Sequence, residues 1–270
     1  MRWPTIVLFA IILVVTSSSA LSTYISMTTT ISSQFINNNT ILLLIKVDQN
    51  GDESAYQVSI LPIIPRGFSY SGSIFTDRLD PTKSLSGNFT LKIPENSLPG
   101  TYPIVIKTIY HDANMYPFST VSPYLLSYGR QTASDIYGMI SDLEIPKDGG
   151  GKLHLTVRNI GDTTHRLKIK LYLPNELKCD AEERTVDVGS REEEKLSFDV
   201  SSFGALPGST YLVLASIEYE DSEYHSSFAR GLIKVVERKE DKRILWVSGL
   251  IFVVLLLVFV YFRGRLNEKK

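Results

Sequence analysis

The chain has 270 residues, enough for two domains of ordinary size. Its 28 basic and 29 acidic side chains leave a formal net charge of −1, which excludes the strongly basic surface of a polyanion binder. A single cysteine excludes an intramolecular disulfide and a zinc site of several thiolates, and four scattered histidines argue against a histidine-rich metal site.

Met1 and Arg2 open a short basic region. Ten apolar residues follow at 6–15, and then Thr16, Ser17, Ser18, Ser19 and Ala20. This is the layout of a secretory signal peptide over residues 1–20, with cleavage after Ala20. Ten helical residues reach only about 15 Å, half of the roughly 30 Å hydrocarbon core, so the segment is too short for a permanent span.

Residues 21–130 read as a series of period-2 strands. Leu43, Ile45 and Val47 alternate with outward positions and lead to Asn50, Gly51 and Asp52. Val58, Ile60, Ile64 and Pro65 follow, then Phe89 and Leu91, then Leu98-Pro99-Gly100 with Tyr102, Ile104, Ile106 and Tyr110. Two N-x-[ST] sequons, at Asn38 and Asn88, mark possible N-glycosylation sites in this half.

Residues 131–237 repeat that skeleton about 110 positions later. Leu153, Leu155 and Val157 lead to Ile160, Gly161 and Asp162, and Leu167, Ile169, Leu173 and Pro174 come next. Phe198 and Val200 precede Leu206-Pro207-Gly208, Tyr211, Val213, Ala215 and Tyr219. Asn50-Gly51 and Ile160-Gly161 both read as hairpin turns. Period 2 turns Lys152, His154 and Thr156 toward water, and it places Glu218 and Glu220 on an outer face opposite Ile217 and Tyr219. The surfaces of the copies differ: 21–130 carries seven basic and seven acidic residues, 131–243 sixteen and twenty-one.

Roughly seven strands in about 105 residues is the size of an immunoglobulin-like sandwich, here without the Cys, Trp, Cys core of antibody domains. Val157, Asn159 and Gly161, with Leu206-Pro207-Gly208 and Tyr211 much later, resemble the CARDB-type immunoglobulin-like modules of bacterial and archaeal surface proteins. The chain is also similar to related modules appended to alpha-galactosidases and found in S-layer-like archaeal proteins. The resemblance covers residues 134–237, and more loosely 24–129, where Gln49 stands in place of the asparagine. It implies a fold and a surface setting, and carries no catalytic residues.

The stem at 238–243 is charged, and residues 244–262 hold fifteen Leu, Ile, Val or Phe and no charge. At roughly −0.3 to −0.6 kcal/mol each, these residues make a transmembrane helix. Trp246, Tyr261, Arg263 and Arg265 are expected at the membrane interfaces, and residues 263–270 form a basic tail. Four basic residues on each side leave the positive-inside count tied, so the signal peptide sets the orientation: ectodomain outside, tail in the cytosol. The eight residues from Val236 to Arg243 span at most about 28 Å, which keeps the second domain near the bilayer. The short link near Arg130 to Ser134 predicts a stiff pair of domains.

Candidate chemistry is sparse. Asp48, Asn50, Asp52 and Glu53 alternate oxygen ligands as a calcium loop does, but the glycine is misplaced and Ser59 stands where a bidentate glutamate belongs. His111, His154, His165 and His225 have no Gly-x-Ser-x-Gly elbow to serve, and Cys179 has only Lys178 nearby. Leu98-Pro99-Gly100-Thr101 and Leu206-Pro207-Gly208-Ser209 lack the glycine of a Gram-positive sorting signal, which favours an archaeal source.

The expected fold is all-β: two tandem immunoglobulin-like β-sandwich domains, 21–130 distal and 131–237 proximal to the membrane, with an N-terminal signal-peptide helix and one C-terminal transmembrane α-helix. The expected function is that of a single-pass cell-surface protein whose ectodomain mediates adhesion or envelope scaffolding, with no enzymatic activity, cofactor or metal. Expected partners are the membrane and other envelope or membrane proteins, with no nucleic acid and no small-molecule substrate. The alternative is an extracytoplasmic accessory subunit of a membrane transporter or secretion complex.

Overall fold

The computed structural model describes residues 24–237. The segments read as signal peptide (1–20), stem (238–243), transmembrane helix (244–262) and tail (263–270), with Trp246, Tyr261, Arg263 and Arg265, lie outside the described residues. Among those described, no helix is long and apolar enough to cross a membrane.

The described chain is all-β, and its strands fall into two halves of like topology. In the first, β1 (Met27–Asn37), β2 (Thr40–Gln49), β4 (Ser69–Ser71) and β6 (Ser84–Lys92) form a sheet in the order β1-β2-β6-β4. Facing it, β3 (Ala55–Ile63), β5 (Ile74–Leu79), β7 (Gly100–His111) and β8 (Pro117–Tyr128) lie in the order β5-β3-β7-β8. Alternation makes the core: Ile41, Leu43, Ile45 and Val47 turn inward from β2 and meet Phe89, Leu91, Ile60, Tyr102, Ile104, Ile106 and Leu126.

The second half repeats this arrangement. A sheet of β13 (Leu177–Cys179), β15 (Glu193–Ser202), β11 (Gly150–Asn159) and β9 (Ile136–Ile140), in that order, faces β14 (Glu183–Val188), β12 (His165–Tyr172), β16 (Thr210–Glu220) and β17 (Tyr224–Val236). β10 (Leu143–Pro146) adds a parallel strand to β17. Leu153, Leu155, Val157, Leu167, Ile169, Phe198, Val200, Val213, Ala215 and Ile217 fill the core. The positions matched in the sequence thus occupy matching strands.

Two expectations need correction. Asn50-Gly51 and Ile160-Gly161 do not turn hairpins: β2 pairs with β1 and β6 while β3 pairs with β5 and β7, so the chain crosses from one sheet to the other. β11 and β12 are separated in the same way. A type I′ hairpin needs positive φ at both central residues, and none of these four has it. Gly51 is required for space instead, because a Cβ there would overlap the Tyr24 carbonyl. A buried carboxamide secures each crossing. Gln49 accepts N–H groups from Ser26 and Gly51 at 3.1 and 2.8 Å, and Asn159 accepts the Gly161 N–H at 2.9 Å while donating to Thr163 and Gly189 carbonyls at 2.7 and 2.9 Å.

The second correction concerns Glu218. It has outward parity, yet it is only 7% exposed because the first half covers the outer face of β16. Val105 and Val121 from one half pack with Tyr172 and Leu214 from the other, flanked by Ile63, Leu212 and Phe228. β17 also meets β7 in a parallel bridge at Tyr224 and Gly100, which joins strands of both halves into one nine-stranded sheet. The two halves are therefore joined by a packed seam as well as by the short link.

Candidate functional site

The seam gathers most of the buried polar groups. Glu176, in the turn before β13, receives the Ser119 backbone N–H at 2.6 Å on one oxygen and the Ser119 hydroxyl at 2.8 Å on the other. The Asn175 N–H donates to the same hydroxyl at 2.7 Å, and Lys107 Nζ donates to Asn175 Oδ1 at 2.9 Å. Burial raises the Glu176 carboxyl above its ordinary value despite these donors, and burial lowers the Lys107 ammonium.

At the other end of the seam the Tyr102 and Tyr224 rings stack with centroids 4.2 Å apart. Tyr224 donates its hydroxyl to Glu218, which also accepts from Ser216 at 2.6 Å. Burial, reinforced by the Glu218 carboxylate, pushes the Tyr224 phenol far up, and burial takes Tyr102 to about 12. Ser226 donates to the Thr101 carbonyl at 2.8 Å, and Thr132 in the connecting segment donates to the Tyr224 carbonyl at 2.9 Å. Here the polar groups are directed at one another, the arrangement of a permanent joint. Alternation could not reveal this, since it assigns faces within a strand and says nothing of what covers them.

Beside the seam lies a groove of about 780 Å³, lined by Tyr24, Glu53, Tyr110, Asp112, Ser209 and Tyr211 among others. The candidate calcium residues, of which Glu53 lines this groove, face separate partners. Asp48 accepts from Ser84 and pairs with Lys46, Asn50 donates to Thr28, Asp52 accepts the Tyr24 N–H, and Glu53 accepts the Ala113 N–H. Among the described residues no three His, Cys, Asp or Glu side chains converge as metal ligands would.

Three of the candidate histidines are tied to neighbouring side chains or carbonyls. His154 lies 3.0 Å from Ser197 Oγ on an exposed face, His165 lies 2.9 Å from Thr163 Oγ1, and His225 lies 2.8 Å from the Ala133 carbonyl and 3.2 Å from Asp221. His165 and His225 flank the Tyr219 ring at 4.2 and 4.6 Å, a grouping the sequence analysis missed. His225 lies directly opposite Tyr219 in the β16–β17 register. His111 sits apart on β7. Burial raises the Cys179 thiol, which disfavours the nucleophilic thiolate.

Both sequons are exposed: Asn38 in the turn between β1 and β2, Asn88 on the outer face of β6 beside Leu44. Phe35 and Ile36, 46% and 59% exposed, lie next to Asn38.

No protein-family model and no curated protein matches the chain. Among solved structures it is similar to the GAE domain of GGA2p from Saccharomyces cerevisiae, at 11% identity over 39% of this chain and 97% of that one, with a TM-score of 0.32. A protein of unknown function from Porphyromonas gingivalis W83 aligns over 76% and 98% at 14% identity and TM-score 0.32. Trypsin-activated alpha-2-macroglobulin from Escherichia coli aligns over 79% of this chain but 18% of its own, at 12% identity and TM-score 0.33. Likeness at this level carries no argument about function.

Proposed function

We propose that the chain is a single-pass cell-surface protein whose two immunoglobulin-like sandwiches, related to CARDB-type modules, form one rigid ectodomain for contacts with envelope proteins or neighbouring surfaces. The supporting observation is the repeat of one two-sheet topology, fused across a buried seam and set between a signal-peptide-like segment and a 19-residue uncharged apolar stretch. In this reading residues 1–20 direct export, 244–262 span the membrane, and Trp246, Tyr261, Arg263 and Arg265 anchor the interfaces. Asn38 and Asn88 lie on the outward surface of the distal half, where glycans fit. The polar groups of the seam hold the two halves together and engage no substrate.

Protease added to intact cells tests the topology. The reading expects either cleavage within 24–237 or a protected ectodomain fragment released by cutting at 238–243. An ectodomain tag reachable only after lysis overturns it.

A further inference from the structure

We infer that β1 is a self-association edge, at which two copies of this chain pair their β1 strands antiparallel about Ile31. A free sheet edge offers a row of unpaired N–H and C=O groups, and proteins usually blunt it with charge, proline or short length. The other edges here follow that rule. β14 carries Glu183, Arg184 and Asp187, β5 carries Asp77 and Arg78, and β8 carries Pro117 and Pro123. β4 and β13 have three residues each, and β9 has five. β1 runs for eleven residues without a charge or a proline, and among the described residues it pairs only with β2.

The register shows which groups are free. The Asn50 N–H donates to the Ser26 carbonyl, so the Met27 and Gln49 pair is a non-hydrogen-bonded one, and alternation directs the backbone groups of Met27, Thr29, Ile31, Ser33 and Phe35 to the open edge. A two-fold axis at Ile31 sets Ile31 against itself, Thr29 against Ser33, and Met27 against Phe35. On the outer face it sets Thr30 against Ser32 and Thr28 against Gln34. Every pair matches apolar with apolar or polar with polar, and all five outward positions find hydrogen-bond partners. The half-exposed Phe35 gains cover from Met27 of the second copy. The absence of charge along β1 removes like-charge repulsion, and a second copy brings the same self-complementary strand. This pairing does not depend on the location proposed above.

The test uses the full-length chain with Cys179→Ser, expressed in two tagged forms, one carrying Thr30→Cys and the other Ser32→Cys. Opposed residues at a non-hydrogen-bonded pair lie about 4.5 Å apart at Cα, within disulfide reach, whereas the diagonal separations within either single variant are about 7–8 Å. Mild oxidation is expected to link the mixed forms at least five-fold more than either form alone. Thr29→Pro, which removes only an outward N–H, is expected to abolish the link while leaving the circular dichroism of the chain unchanged. Should that variant not fold, Thr28→Lys with Gln34→Lys, both exposed, sets lysine against lysine across the ladder and is expected to abolish the link as well. Equal linking in mixed and single forms, or linking that persists with both lysines, overturns the proposal.

Discussion

Glu176 holds Ser119 at two points, accepting its N–H at 2.6 Å and its hydroxyl at 2.8 Å, so a carboxyl group of the second half caps the edge of β8 that faces away from its partner β7. Both residues are buried, at 4% and 5% exposure.

That contact is pH-dependent. Burial raises the folded-state value of Glu176, so its stabilising contribution is fully present below the unfolded value of 4.5 and is lost as pH rises through the folded one. Glu176→Gln keeps an acceptor for the N–H and does not titrate. The wild-type melting temperature should therefore gain on that of the variant as pH falls from neutral toward 4.5, and parallel melting curves across the series would exclude the assignment.

Gly100 has φ +148, and a Cβ there would overlap the Tyr224 backbone. Gly100→Ala is expected to destabilise the chain by roughly 2–4 kcal/mol and to raise amide exchange at both ends of the seam. Gly208, also at positive φ but with open space around it, serves as control: Gly208→Ala should cost only about 1–2 kcal/mol.

Asn159→Ala removes the acceptor for Gly161 and the donor for Thr163 and Gly189 at a fully buried crossing. The expected loss is about 3 kcal/mol, or roughly 6–12 °C in melting temperature by thermal denaturation. Asn159→Asp should fare no better, since it replaces a donor with a charge facing carbonyl oxygens.

Cys179 should react with a soluble maleimide at neutral pH several-fold more slowly than a cysteine introduced at exposed Ser86, because burial holds its thiol protonated. Equal rates measured by mass shift would contradict the packed position.

In a glycosylating host, Asn38 should be occupied more fully than Asn88, because a turn tip admits a glycosylating enzyme more readily than the middle of a paired strand. Intact mass of wild type, Thr40→Ala and Thr90→Ala measures each occupancy.

Period 2 made the two cores legible: Leu43, Ile45 and Val47, and Leu153, Leu155 and Val157, are all buried as their alternation requires. The repeat also foretold that the two halves would be built alike, because matched residues lie on matched strands. The crossing at Gly51 was not legible, because a glycine before an acid looks the same whether it frees φ or frees space. Glu218 was misread for a related reason: its outward parity is correct, and what lies outside it is the other half. Gln49 gave a faint signal. It stands where the second copy has Asn159, and both side chains fasten the same crossing.

β17 runs for thirteen residues, from Tyr224 against Gly100 to Val236, one residue before the described chain ends. At its far end β10 runs parallel to it over Leu143–Pro146 while β16 flanks its other side. Tension on the chain beyond Val236 loads the β10 bonds in shear, all at once, and runs along about 43 Å of strand to the seam. A pull at the C-terminal end of β17, the last described strand, would thus pass into the joint between the halves.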